Sequence, residues 1–134
     1  MQVVLSDHNC EGQAKAIFDL LTYRRVWLEL VPMELVWFRD VHLAATADDE
    51  IVWRFCQEHQ YILLTGNRRT DDGEKSLEAI MQRLNRSTSL PILTIGNLKR
   101  VNVDLSYRER CAERLAEIVY DLERYRGSGR LYLP

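Results

Sequence analysis

Short apolar runs alternate with amphipathic helical stretches along the whole chain, and this alternation restricts the fold more than any single motif. Val3, Val4 and Leu5, just before Ser6 and Asp7, read as a first strand. Over residues 11–23, Ala14, Ile17, Phe18 and Leu21 recur at i, i+3, i+4 and i+7, one face of a helix. The stretch VWLELVPMELVWF is rich in β-forming residues but is interrupted by Pro32, which a central strand tolerates poorly. It reads as two extended pieces about a bend, with residues 35–38 the better strand. Thr46 and Asp49 form a capping-box pattern ahead of Ile51, Val52, Phe55, Cys56 and His59.

The second half repeats the alternation. Residues 61–65 form a strand pattern, and Asp71 or Asp72 is placed to cap a helix whose stripe is Leu77, Ile80, Met81 and Leu84. SLPILTIGN reads as a strand ending in a Gly96-Asn97 turn. Ser106 and Glu109 mark a second capping box, followed by the longest helix, over residues 107–126, with Cys111, Leu115, Ile118, Val119, Leu122 and Tyr125 on its stripe. Gly127 and Gly129 end it, and RLYLP adds a short edge strand. Strands alternating with helices of this length imply an α/β domain with a mostly parallel sheet and right-handed crossovers.

At 134 residues the chain is expected to be one domain, 1–134. It carries 46% hydrophobic and 28% charged residues, the balance of a globular protein rather than a disordered or fibrous one. Apolar runs fall far short of the roughly 18 residues of a membrane span, and MQVVLSD lacks the basic and apolar regions of a secretory signal. The three cysteines, Cys10, Cys56 and Cys111, are far apart and show no C-x-x-C or zinc-ligand spacing. They read as small buried hydrophobes in a reducing, cytoplasmic setting. With a net charge of −2, any contact with nucleic acid must come from a local basic patch.

In open α/β sheets, ligands bind beyond the carboxyl ends of the strands. Acidic and amide side chains recur at those positions: Asp7, then His8 and Asn9; Asp48, Asp49 and Glu50; Asn67, Asp71 and Asp72; Asn97 and Asp104. Two like charges about 4 Å apart repel by about 4 kcal/mol at an effective dielectric near 20, so such a cluster needs protons or a cation. A hard divalent ion, Mg²⁺ or Mn²⁺, prefers oxygen ligands and activates water for attack on phosphoryl groups. Asn67 would then be an oxygen ligand at a strand tip, with Arg68 and Arg69 beside it for a phosphate backbone. Simpler roles compete. Asp48, Asp49, Asp71 and Asp72 all stand where helices favour acids for capping, and Asn67 beside Gly66 suits a turn. Asp7 has no such excuse, because no helical pattern starts before Glu11.

The segments VVLSDHN, FRDVHL…ADDEIVWRFCQEHQ and YILLTGNRR, in this order, resemble the PIN-like domain family, in particular short bacterial members with a strand-end Asp, an RDxGL…DEEI segment and an LxTxDxDF segment. The likeness covers about residues 1–100. It implies a three-layer α/β/α sandwich and a metal-dependent endoribonuclease, including the toxin halves of toxin–antitoxin pairs. Under that resemblance Asp7 matches the first acid. Asp48 or Asp49 matches the acid opening the DEEI helix, and Asn67 falls on the aspartate of TxD. Asp7, Asp48, Asp49 and Asn67 would hold Mg²⁺ or Mn²⁺, with Asp71 completing the site.

The departures are specific. Asn67 is neutral where the pattern has Asp, RRTDDG replaces DF, and His42 stands where the pattern has Gly. Two functions are therefore expected to compete. One is a nuclease acting on single-stranded RNA, with Arg68, Arg69 and Lys75 on the backbone and an antitoxin as protein partner. The other is a catalytically inactive module of the same fold that binds nucleic acid or protein. A receiver-like domain ranks below both, because its phosphoacceptor would end the third strand, where Asn67 stands. Tyr120 and Tyr125 on the last helix could support a homodimer.

Overall fold

The computed structural model of the chain describes residues 1–66 and 72–134, with side chains from residue 77 onward in the second stretch. In order, the elements are β1 (Gln2–Ser6), α1 (Glu11–Arg24), α2 (Val26–Leu30), β2 (Met33–Val36), α3 (Asp49–His59), β3 (Ile62–Gly66), α4 (Asp72–Leu84), β4 (Ile92–Ile95), α5 (Leu98–Val103), α6 (Leu105–Tyr120), α7 (Leu122–Tyr125) and β5 (Arg130–Leu133). Single 3-10 turns lie at His8–Cys10 and Phe38–Val41. The strands form one sheet in the order β2-β1-β3-β4-β5, and every pairing is parallel. No described helix is long and apolar enough to cross a membrane.

An all-parallel sheet needs cover on both faces, and the strands alternate their apolar residues accordingly. Val4, Ile62, Leu64, Leu93 and Ile95 face one core, with α1 and α6 laid over it. Leu5, Leu63 and Ile92 face the other, under α3 and α4. The result is a three-layer α/β/α sandwich around the parallel sheet expected from the alternation. The step from β1 to β2 moves one way along the sheet under α1. The step from β2 to β3 moves the opposite way under α3, on the opposite face. Reversing both direction and face preserves the hand of the crossover, in line with the right-handed rule. Cys10, Cys56 and Cys111 are all buried in these cores, as expected of small hydrophobes. Burial pushes the Cys10 thiol up to about 12 and that of Cys111 to about 11.

Five local expectations are corrected. The first extended piece around Pro32 is instead helix α2. Arg25, at φ 53°, breaks α1, and the following turn sets Trp27 and Leu28 against the α1/α6 core. The strand that follows, β2, begins two residues earlier than expected and ends before Phe38. The side chain of Asp40 accepts the Trp37 N–H at 2.8 Å, which withdraws that donor from the ladder and starts the 3-10 turn. Thr46 does not cap α3; Asp48 does, accepting the Ile51 N–H at 2.9 Å. Ser106 lies inside the first turn of α6, whose cap is Asp104, with the Tyr107 N–H at 3.1 Å. Helix α5 was not anticipated, and the final helical stretch breaks at Asp121 into α6 and α7. The Asp71 cap lies outside the described residues.

Two details carry measurable stability. Gln57 on α3 uses both ends of its amide on the backbone of buried Leu90: it donates to the carbonyl at 3.1 Å and accepts the N–H at 2.8 Å. Gln57→Leu leaves both groups without that partner and is expected to cost about 2–4 kcal/mol in urea unfolding. His42 adopts φ 62°, ψ 31°, the left-handed conformation. This conformation costs an L-residue roughly 1–2 kcal/mol, while glycine gives back about half in chain entropy. His42→Gly is therefore expected to raise stability by about 0.5–1 kcal/mol in the same assay. A loss would mean that the imidazole makes a compensating contact.

Candidate functional site

The strand order reverses between β1 and β3, and the crevice at a doubly wound sheet's switch point opens beyond the carboxyl ends of those two strands. Asp7 leaves β1 in an extended conformation, and its N–H reaches the Leu64 carbonyl at 2.8 Å, extending the ladder by one residue. Because Ser6 pairs with Leu64, Asp7 stands beside Thr65 on the α3/α4 face. The Thr65 hydroxyl donates to Asp7 Oδ2 at 2.8 Å. Thr65 is 1% exposed, so this bond is sheltered from water. The charge on Asp7 also reaches α3: the Cys56 thiol is pushed up, chiefly by burial and then by Asp7. Ser6, one residue back, turns to the other face and lies 3.7 Å from Cys10 Sγ.

Asn9 closes the crevice from the loop after β1. Its amide nitrogen donates to the Gly66 carbonyl at 3.4 Å, and its oxygen accepts the Gly66 N–H at 3.3 Å. The clasp holds the last residue of β3, from which residues 67–71 continue. Gly66 also admits Leu98 of α5, since a Cβ there would lie 2.6–2.9 Å from that side chain. Around the rim, Glu11 lies 3.5 Å from His8 and 3.6 Å from Arg39, linking the loops after β1 and β2. Both partners are well exposed, so these contacts organise the rim without adding much stability. At the end of β4, Asn97 caps α5 and its N–H donates to the Tyr107 hydroxyl at 2.9 Å.

The acidic run at the start of α3 has a different character. Asp48 is exposed and spends Oδ1 on the helix cap. Asp49 is partly buried and engaged. Glu50 bridges Arg54, at 3.0 Å, and Arg83 of α4. Hydrogen bonds from Arg54 and Arg83 hold its carboxyl below the ordinary glutamate range. Asp48, Asp49, Glu50, Arg54 and Arg83 line a cleft of about 500 Å³ between α3 and α4.

Of the residues singled out from sequence, Asp7 stands at the switch point and Asp48 at a cap. Asn67, Arg68, Arg69 and Asp71, and the side chain of Lys75, lie outside what is described. Among the described residues no three of His, Cys, Asp or Glu converge as metal ligands. The donors gathered at the crevice, the Asp7 carboxylate, the Thr65 hydroxyl and the Asn9 amide oxygen, are all oxygens, the ligand type of Mg²⁺ or Mn²⁺. Asn9 is among the strand-end amides noted in the sequence, whereas Thr65 is not among the residues singled out there. Period-two alternation puts Thr65 on the face of Asp7 only once the register of β1 against β3 is known.

One further polar group shares this face. Thr94 of β4 pairs in register with Thr65 and is 0% exposed. Among the described residues its Oγ1 makes no hydrogen bond. Such a hydroxyl costs about 1–3 kcal/mol relative to a bonded one.

No protein-family model, no curated protein and no solved structure matches this chain.

The Glu50 bridge gives a signed expectation. Its folded carboxyl titrates below the ordinary value of 4.5, so its contribution is present above that pH and is lost as the pH falls through the lowered value. Glu50→Gln should therefore make thermal stability fall less steeply with acid below about pH 4.5, with a small effect because the pair is exposed. An unchanged acid limb in the variant would show that the bridge does not persist in solution.

Proposed function

We propose that this chain is a metal-dependent endoribonuclease of PIN-like type, acting on single-stranded RNA as the toxin of a toxin–antitoxin pair. The observation that carries this reading is Asp7, a carboxylate at the switch point of the sheet with one oxygen held by a buried threonine. An acid that neither caps a helix nor faces bulk solvent alone is placed for work on a ligand. His42 adds support, because it adopts a left-handed conformation where the family pattern has Gly. The strand-end order of Asp7, the α3 acids and Asn67 follows that pattern as well.

In this reading Mg²⁺ or Mn²⁺, when bound, supplies an activated water and neutralises charge on the phosphodiester. The chain's own groups do the rest. Asp7 provides the anionic anchor, and Thr65 holds its carboxylate in one orientation. Asp49, Asn67 and Asp71 complete the oxygen set. Asp48 would join it only with the oxygen its cap leaves over. Arg68, Arg69 and Lys75 meet the RNA backbone, and exposed Arg39 extends that surface along the β2 rim. Unpaired RNA is the substrate in this reading, because sequence-specific recognition of RNA overwhelmingly targets single-stranded regions. Antitoxin binding and a homodimer through exposed Tyr120 complete the proposed partners.

A second reading has an observation of its own. Asp48 is committed to a helix cap, and the described residues hold no cluster of three acids. Both favour a catalytically inactive module of the same fold that binds nucleic acid or protein. The two readings separate in one experiment. The nuclease reading expects Mn²⁺-dependent cleavage of single-stranded RNA that drops at least about 100-fold in Asp7→Asn, the scale of losing one group that stabilises the transition state. RNA binding without cleavage, together with no calorimetric Mn²⁺ binding at millimolar metal, would establish the module instead.

A further inference from the structure

We propose that Thr94 is a positioning residue of the same crevice, acting on Asp7 through Thr65; this rests on the metal-dependent reading above. Asp7, Thr65 and Thr94 occupy neighbouring positions on β1, β3 and β4 and project to one face of the sheet. Adjacent strands stand about 4.8 Å apart, so the three form a short polar row across an otherwise apolar layer. Leu5, Leu63 and Ile92, one step back on the same strands and face, are fully apolar and buried.

Within the row the hydrogen bonding has a direction. Thr65 has a single hydroxyl proton and gives it to Asp7. Its oxygen retains lone pairs that accept. Thr94, the next residue in register, brings a buried hydroxyl that makes no hydrogen bond among the described residues. Valine would fill the same volume, with the same branched fit to a strand and no polar group to desolvate. A hydroxyl kept at such a position is a cost to folding unless it acts when the crevice is occupied. Its fitting role is to donate to Thr65 Oγ1 in the occupied crevice, so that Thr65 keeps its own proton on Asp7 Oδ2 and the carboxylate holds one orientation toward the cation. Thr94 touches neither metal nor substrate in this scheme.

Three proteins test it: the intact chain, Thr94→Val and Thr94→Ser. Removing a hydroxyl that is unpaired in the resting protein should leave the melting temperature unchanged or raise it by a few degrees, on the order of 2–4 °C. Mn²⁺ affinity, read by calorimetry or by the manganese spin-resonance signal, should fall about 3–10-fold in Thr94→Val, the scale of one neutral hydrogen bond. Thr94→Ser should restore it. Opposite movements of stability and affinity are the signature, because a merely structural threonine would lower both or neither. Two outcomes overturn the inference while leaving the nuclease reading in place: Mn²⁺ affinity in Thr94→Val equal to that of the intact chain, or a melting temperature that drops by more than a few degrees. If the intact chain binds no Mn²⁺ and cleaves no RNA, the nuclease reading fails first and the role of Thr94 falls with it.

Discussion

The parallel pairing of β1 with β3 is the contact on which the rest of the molecule depends. It joins Val4, Leu5 and Ser6 to Ile62, Leu63 and Leu64 across more than fifty intervening residues. Closing a loop of that length carries a real entropic cost, though one that grows only slowly with length. Burial of both strands on both faces offsets it. With β1 and β3 as neighbours at the centre, β2 pairs on the outer side of β1 and β4 on the outer side of β3. The reversal of direction between them then opens a crevice at their carboxyl ends. Both cores, the face taken by each helix and the location of the candidate site follow from this one adjacency.

The same pairing explains why polar side chains can stand at the end of such a sheet. Period-two alternation sends Ser6 toward α1 and α6, and Asp7 toward α3 and α4. Each therefore meets a different set of partners although they are consecutive. Ser6 settles against Cys10. Asp7 meets Thr65 and lies near enough to Cys56 to add to the burial that raises its thiol. Asn9 then fastens the end of β3 by two backbone contacts. The crevice is held by partly sheltered hydrogen bonds, 2.8 Å between Thr65 and Asp7 and 3.3–3.4 Å between Asn9 and Gly66, whereas the rim is held by exposed ion pairs around Glu11. These differ in rigidity, and a site built on strand ends is the more exact of the two.

The acidic residues divide by what their surroundings ask of them. Asp48 and Asp104 begin helices, and their side chains accept backbone donors that those helices would otherwise leave unpaired. Glu50 pairs with Arg54 on its own helix and joins α3 to α4 through Arg83. Asp7 begins no α-helix and makes no side-chain cap to the 3-10 turn that follows it. It is the acid at the point where a doubly wound sheet binds its ligands. That contrast, rather than the number of carboxylates, is what sets Asp7 apart as the centre of the proposed site.

Much of this was legible in the chain itself. Apolar periodicity set out α1, α3, α4, α6 and all five strands, because burial on both faces demands continuous apolar runs and amphipathic covers. It misread α2, where a five-residue stretch opening with Val26 and Trp27 winds into one turn of helix because Trp27 and Leu28 gain more from packing on the core than from extension. It missed α5, six residues being too few to display a period. Capping was read two residues out at both sites, since Thr46, Asp48, Ser106 and Asp104 are all good caps and only the backbone's turn selects among them. The order of apolar and polar residues along the chain determined that it would form an α/β domain around a parallel sheet and that Asp7 would follow the first strand. Only the tertiary structure decided that Thr65, Thr94 and Asp7 share a face, because register is a relation between strands far apart in sequence and no local pattern encodes it.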